Sequence, residues 1–393
     1  MSGENGPGLH GLNIVCIADG LWDRAINSGP VMTELAKRNN VYFFASASEW
    51  GTAPPASRRA FRTYARTGRP VVQEIEPRIK QIVLPAPIPT GASLWPQWMR
   101  HSTVRGLMLC SARLRAAFVR RRLASLGVEP DILFVFWPQD LPLGVRVPAR
   151  VRCVRVFDEV SLFRSHRMVR EPLREIEREF LPRYDLVFTS SRAQTRNRQT
   201  WHPAVHFVPN SVDCRAYAAA ARNAYSPPAD MRGLRKPVIG FVGGVHSKID
   251  YPLLRKVAEQ YRDLPVALVG EVTDIGRQGL ADLRHCDNVR VLGWRKRDDI
   301  PRYVQRIDVS IVPYILNEST HTMYILKVVE HLAAEKPIVS TDLAELRPMA
   351  GVIALARTHE QFVAGGRAYL GGAQGKSAGC QNSQGARDRD EAA

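Results

Sequence analysis

Residues 309–341 read VSIVPYILNESTHTMYILKVVEHLAAEKPIVST. The opening VSIV is a short β-branched run, Val309–Val312, of the kind that forms a buried strand. Met323–Ala334 places apolar residues at helical spacing, and Pro337–Ser340 is a second β-branched run after a Lys-Pro break. Strand, helix and strand in 33 residues is a βαβ unit, which requires a parallel sheet. Polar residues 317–322 separate the first strand from the helix. They predict a helix N-terminus near Thr322–Tyr324, where unpaired N–H groups and the helix dipole would favour an anion. Lys327 and Glu330 stand three apart and share one helical face. A surface Lys–Glu pair is the plain reading of that spacing; a carboxylate placed to accept hydroxyls of a ribose is the other.

Outward from this stretch the same alternation recurs. Upstream come strands Val238–Val242, Val266–Val269 and Val289–Leu292, with helices near Pro252–Asp263 and Asp298–Arg306. Downstream, Val352–Ala356 and Thr358–Tyr369 extend the series as strand and helix. Residues 226–237 (SPPADMRGLRKP) are rich in Pro and polar groups and read as a linker. Before them lies a second series: strands Asn13–Ala18, Val41–Ala45, Ile82–Leu84, Asp131–Phe136, Val154–Phe157, Asp185–Thr189 and His206–Val208. Its helices are Gly29–Arg38, Ser111–Gly127, about Arg167 to Phe180, and one more after Thr189. Residues 51–100, heavy in Pro and Arg, read as long loops around the short strand Ile82–Leu84. The expected fold class is therefore α/β with two Rossmann-like domains facing a central cleft, spanning residues 1–225 and 238–370. The tail 371–393, without apolar periodicity, reads as disordered. Ligands of such sheets bind at the carboxyl ends of the strands.

The 393 residues carry a formal net charge of +17. Residues 1–225 hold 32 Lys+Arg against 18 Asp+Glu, and the remainder 23 against 20, so the excess sits in the first half. Such a field suits a polyanionic partner: nucleic acid, an anionic membrane surface or a phosphate-bearing substrate. Solvated surface charge is the plain alternative. No nucleic-acid recognition motif is present, and no nucleic acid is expected. Arg113, Arg115, Arg120, Arg121 and Arg122 crowd a helix carrying Leu114, Phe118 and Leu126, a pattern fit for an anionic interface or for packing on the sheet. No apolar run approaches the ~18 residues of a membrane span. The N-terminus shows no signal-peptide pattern. The six cysteines, at 16, 110, 153, 214, 286 and 380, form no CxxC or His/Cys cluster, which predicts neither zinc nor a disulfide framework and suits a reducing cytoplasm.

Two glycine sites end strands of the second series. Gly243-Gly244 follows VIGFV, with His246, Ser247 and Lys248 just beyond, and Gly270 follows VALV. Glycine lets a turn reach positive φ and lets a ligand approach the backbone. A tight βα turn is the plain reading of each.

Taken together, VIGFVGGVHSKIDYPLL, NVRVLGWRKRDDIPRYVQRIDVSIVPY and YILKVVEHLAAEKPIVSTDLAEL make residues 238–346 resemble the nucleotide-binding domain of bacterial GT-B glycosyltransferases. The likeness is to the large family with mannosyl- and glucosyl-transferring members. YDLVFTSSRAQTRNRQ and HFVPNSVD resemble the exit of that family's acceptor domain more weakly. The resemblance implies a cytoplasmic hexosyltransferase, peripheral on the inner face of the membrane if the basic half binds it. It would use a nucleotide-sugar donor and a glycan or lipid-linked glycan acceptor in surface or exopolysaccharide synthesis. It implies retaining chemistry, no metal and no cofactor, the nucleotide-sugar being a substrate. Glu330 would hold the ribose, Lys327 and Lys248 would approach the diphosphate, Gly243, Gly244 and Gly270 would leave it room, and Gly293 to Arg295 would flank the base.

Departures from the family pattern are specific. Thr322 stands where many relatives carry a second acidic residue, Ser211 replaces a glycine, and Glu335 stands where glycine precedes Lys-Pro. A final helix crossing back to the first domain is not seen. For catalysis the candidates are Asp158, after the strand VRVF, and Asp19 and Asp23 in the first βα loop. A carboxylate at any of these could take the acceptor's proton, or could simply cap a helix or turn. A sugar-nucleotide epimerase on the same fold and a catalytically inactive nucleotide-sugar-binding protein remain alternatives.

Overall fold

The structure, a computed structural model, describes residues 8–20, 22, 28–46, 63, 66–67, 72–84, 100–162 and 169–372. It divides into two compact units, Met1–Asn210 with Thr322–Tyr324, and Ser211–His321 with Ile325–Ala393.

In the first unit the strands are β1 (Asn13–Asp19), β2 (Asn40–Ser46), β3 (Val72–Glu76), β4 (Ile79–Leu84), β5 (Ile132–Val135), β6 (Val151–Val156), β7 (Leu186–Thr189) and β8 (Val205–Phe207). They form one sheet in the order β3-β4-β2-β1-β5-β6-β7-β8. All neighbours are parallel except the β3–β4 hairpin. That hairpin is the first departure from the expected pattern. The stretch read as loops with one short strand holds two strands, the outer one being largely exposed and polar (VQEIE), hence without an apolar signal. Other parts of residues 51–100 lie outside the described residues.

The long helix begins at His101, ten residues before the expected start, and ends at Ser125. Its buried stripe runs Val104, Met108, Ala112, Ala116, Val119 and Leu123, stepping by three or four as a packed helix must. Leu114, expected in the apolar stripe, is instead half exposed. Arg115, expected among the surface arginines, is buried against Asp140 at 2.5 Å.

The second unit contains β9 (Ile239–Val242), β10 (Val266–Val269), β11 (Val289–Gly293), β12 (Val309–Val312), β13 (Ile338–Thr341) and β14 (Ala354–Ala356). Their order, β11-β10-β9-β12-β13-β14, is parallel throughout. Written from the first strand it is 3-2-1-4-5-6, the doubly wound order whose switch point lies between β9 and β12. All four residues of β9, β10, β12 and β13 are buried, as strands covered on both faces require. Sequence reading missed the helix Asp274–Ala281, whose start is fixed by Thr273 accepting the Gly276 amide at 3.1 Å.

Residues 226–237 are not a free linker. The division falls between Asn210 and Ser211, and Tyr217, Ala220 and Met231 are buried in the second unit's core with Val238, Tyr303 and Ile307. Pro and polar composition marked an irregular path, but irregular chain can still pack. At the other end the helix His359–Gly372 docks by Tyr261 Oη donating to the Val363 carbonyl at 2.6 Å, and by His359 on Asp250 at 2.9 Å. Residues 373–393, most of the expected disordered tail, lie outside the described residues.

Candidate functional site

At the carboxyl edge of the second sheet, three adjacent strands end in glycines of positive φ: Gly243 at +142°, Gly270 at +151° and Gly293 at +75°. They are linked by backbone bonds, Gly243 N–H to Val269 O at 2.8 Å and Gly270 N–H to Gly293 O at 2.9 Å. Their reasons for being glycine differ. A Cβ on Gly270 would sit 2.0 Å from the Gly243 carbonyl oxygen, so Gly270 lets two strand-end loops pass each other. A Cβ on Gly243 would sit 2.3 Å from Lys327 Nζ, so the ammonium lies directly over that glycine. Gly293 faces open space, and only its φ demands glycine. A Cβ on Gly244 would press on the His246 ring at 3.0 Å.

Lys327 comes from the helix Leu326–Ala333, which starts three or more residues later than expected. Its cap is Ile325, which offers no side-chain oxygen to the first amides. Thr322 is not at that terminus. It groups with the first unit, where its carbonyl accepts Ser191 Oγ at 2.7 Å and Gln194 Nε2 at 3.4 Å. A separate short helix, Glu318–His321, accounts for part of the polar stretch.

The Lys327 ammonium donates to Tyr314 Oη at 2.5 Å and lies over the rings of Phe241 (4.1 Å) and Tyr314 (4.7 Å). Burial pushes it down to about 7, with the Lys248 charge acting in the same direction and Glu330 opposing. Burial first, then Lys327 and Lys248, likewise pushes His246 down to about 4. Its Nδ1 accepts the Lys248 amide at 3.2 Å, which leaves the ring proton of the neutral form on Nε2.

Glu330 shares a face with Lys327, yet no hydrogen bond joins them. Its carboxylate is bonded by the hydroxyl of Tyr217, while burial raises its pKa and Tyr217, Arg297 and Lys327 pull it back. Tyr217 itself is buried and pushed upward by burial, then by Glu330. The plain reading of a surface Lys–Glu pair therefore does not describe this helix. Each partner is instead held by a tyrosine, Tyr314 after β12 and Tyr217 on the helix Cys214–Ala221. Sequence reasoning missed both. The only cue for Tyr217 was Asp213, four residues earlier, which caps that helix through Arg215 N at 3.0 Å and Ala216 N at 3.3 Å.

Gly243, Gly244, Lys248, Gly270, Lys327 and Glu330 thus gather around the switch-point edge of one sheet. Arg295 has another task. Its guanidinium holds Asp230 and Tyr303 Oη, both at 2.5 Å, and so fastens the turn Ala229–Met231 to the second unit. Trp294 beside it is 63% exposed at the end of β11. In the first unit Asp158 follows β6 at the carboxyl edge, where its carbonyl accepts the Val160 amide at 3.0 Å. Asp19 is the last residue of β1, but its side chain lies outside the described residues, as does all of Asp23.

A buried lysine seated over a strand-end glycine can hold a diphosphate, with a carboxylate one turn away for hydroxyl groups. Residues 236–366 match the family described as Glycosyl transferases group 1. Bacillus subtilis TuaH, whose name assigns it as a glycosyltransferase of teichuronic acid biosynthesis, is 31% identical over 146 residues. That stretch covers 37% of this chain and 36% of the relative, so the match spans about a third of TuaH. Among solved structures, the α,α-trehalose 6-phosphate synthase of Burkholderia multivorans aligns with a TM-score of 0.66 at 14% identity, over 92% of this chain and 91% of that one. Anabaena HepE in complex with UDP aligns at 0.56 and 14% identity, over 92% and 90%. Residues 236–366 are therefore a glycosyl transferases group 1 domain, in a chain whose two parallel-sheet units have the GT-B glycosyltransferase fold.

Proposed function

We propose that this protein is a glycosyltransferase that moves a hexosyl group from a nucleotide-sugar to a glycan or lipid-linked glycan, in the synthesis of a surface polysaccharide. The observation that carries the reading is the Lys327 ammonium, seated over Gly243 with no acidic partner bonded to it among the described residues, at the switch point of a glycosyl transferases group 1 domain. A donor diphosphate supplies the missing negative charge, and Glu330 accepts hydroxyls of the ribose in exchange for the Tyr217 bond. TuaH's name supports the polysaccharide role, and HepE's complex with UDP supports a nucleotide ligand. Asp158 is our choice for the group acting on the acceptor, with Asp19 and Asp23 behind it. Retention, independence of metal and attachment to the inner membrane face belong to the same proposal.

The test is a panel of nucleotide-sugars with membrane extract as acceptor, reading product, followed by two variants. Glu330→Ala should weaken nucleotide binding by on the order of 2–3 kcal/mol, the scale of a lost charged hydrogen-bond pair. Asp158→Asn should leave binding nearly intact and lower turnover ~100-fold or more. Isomerised sugar without an acceptor would mean an epimerase, and binding without turnover an inactive nucleotide-sugar protein. Unchanged nucleotide affinity in Glu330→Ala would remove Glu330 from the site.

A further inference from the structure

Among the described residues of the first unit three arginines are buried: Arg115, Arg198 and Arg155, at 2%, 1% and 6% exposure. Two of them are neutralised. Arg115 meets Asp140 at 2.5 Å, and Arg198 grips Glu177 at 2.7 Å and Glu159 at 2.9 Å. Arg155 has no such partner among the described residues. One of its terminal nitrogens donates to Asn210 Oδ1 at 3.0 Å, and its guanidinium lies 5.2 Å over the Phe157 ring. Its Nε is buried with nothing to accept its proton. Burial alone, with no acid opposing it, lowers its pKa to about 10. A buried cation left without a counter-charge costs stability. A chain that keeps such a group therefore carries an unmet demand for negative charge.

Its position says where that demand is met. Arg155 is the penultimate residue of β6, near the carboxyl edge of the first sheet. It lines a cavity together with Phe136, Trp137, Phe157, Asp158 and Glu177, the last of these held by Arg198. Arg155 and Asp158 share this cavity without forming an ion pair, so the guanidinium is not spent on the carboxylate beside it. A guanidinium presents paired N–H groups that match two oxygens of one carboxylate or phosphate.

We propose that Arg155 is an anion subsite of the first unit, binding the paired oxygens of a carboxylate or phosphate carried by the acceptor sugar. The word acceptor rests on the function proposed above; the anion subsite itself does not.

Saturation-transfer NMR on the full chain, with glucuronate, glucose 6-phosphate and glucose at equal ionic strength, tests the proposal. At least one anionic sugar should bind saturably and at least tenfold tighter than glucose; which one does so separates carboxylate from phosphate. Arg155→Met should weaken that binding tenfold or more, and Arg155→Lys should retain part of it. Because the lost charge is unpaired, Arg155→Met should melt no lower than the parent. UDP binding, measured in parallel, should be the same in all three proteins. Anionic sugars binding no better than glucose, or equally well to Arg155→Met, would overturn the subsite. So would a marked loss of thermal stability in Arg155→Met, which would make the guanidinium a structural group. Failure to bind UDP with anion binding intact would sink the donor reading and leave the subsite standing.

Discussion

Replacing Gly270 by alanine tests the glycine edge where strain and packing between loops coincide, and Gly293 on the neighbouring strand shows what a positive φ costs where no packing opposes a Cβ. At Gly293 an added Cβ meets nothing closer than an Arg295 nitrogen at 4.0 Å, so only the φ of +75° opposes it. That conformation costs an L-residue about 1–2 kcal/mol, offset by about 0.4–1 kcal/mol from the stiffer unfolded chain. Gly293→Ala should thus lose ~1 kcal/mol. At Gly270 the φ of +151° lies in a region essentially confined to glycine, at a cost of about 1–3 kcal/mol, and the Cβ falls 2.0 Å from the Gly243 carbonyl oxygen. Carbon and oxygen need well over 3 Å, so the Gly243 loop must retreat by roughly 1 Å or more. Overpacking of that kind costs about 1–3 kcal/mol. The bonds Gly243 N–H to Val269 O and Gly270 N–H to Gly293 O lie on the displaced segments, each worth about 1 kcal/mol. Gly270→Ala should therefore lose ~3–6 kcal/mol, several times the control, and should also weaken nucleotide binding by moving Gly243 away from Lys327. Thermal and urea unfolding by circular dichroism, with UDP titration of whatever remains folded, give both readouts. If Gly270→Ala melts as high as Gly293→Ala, the two loops do not pass as closely as described, and the account of the glycine edge is wrong.

Three further outcomes follow from single features. Glu335 occupies the left-handed position (φ 54°) that ends the helix Leu326–Ala333, with Lys336 N–H bonded to His331 O and Glu335 N–H to Leu332 O; this is the Schellman ending that glycine prefers. Glu335→Gly should raise stability by ~0.5–1 kcal/mol, and a lower melting temperature would count against that account. Lys327, pushed to about 7, is cationic below that pH and neutral above it. Affinity for UDP-glucose or another bound nucleotide-sugar, whose diphosphate does not titrate there, should fall between pH 7 and 8.5 by up to about tenfold per pH unit. Lys327→Met should bind weakly at every pH; a parent profile flat across this range would refute the role. Finally, Arg113, Arg120 and Arg121 are exposed around half-exposed Leu114, whereas Arg115 is not available to a lipid. Flotation with anionic vesicles should depend on the first three, weaken as salt rises, and vanish with neutral lipid; equal binding to both vesicle types would end the membrane proposal.

The alternation of β-branched runs with helical spacing marked most of the strands within a residue or two, because a strand buried on both faces must be apolar along its length. The Lys327–Glu330 spacing and the strand-end glycines were visible for a similar reason: their chemistry lies in neighbouring residues. What the linear pattern did not disclose depends on groups far apart in the chain. The polar edge strand Val72–Glu76 carries no apolar run, and residues 226–237 look like a tether until Met231 is seen buried beside Tyr303. Arg115 and Arg155 read alike as basic residues; only the fold gives one an aspartate, Asp140, and the other an asparagine, Asn210, with no acidic partner among the described residues. Gly270 likewise reads as a plain turn glycine, and only the backbone of Gly243, 2.0 Å from where its Cβ would lie, shows what else requires it. Tyr217, more than a hundred residues from Glu330, becomes its partner through packing of the second unit's helices. Local sequence thus determined the elements and the class of fold. The protonation, pairing and reach of each functional group were decided by desolvation and by partners that only tertiary structure brings within bonding distance.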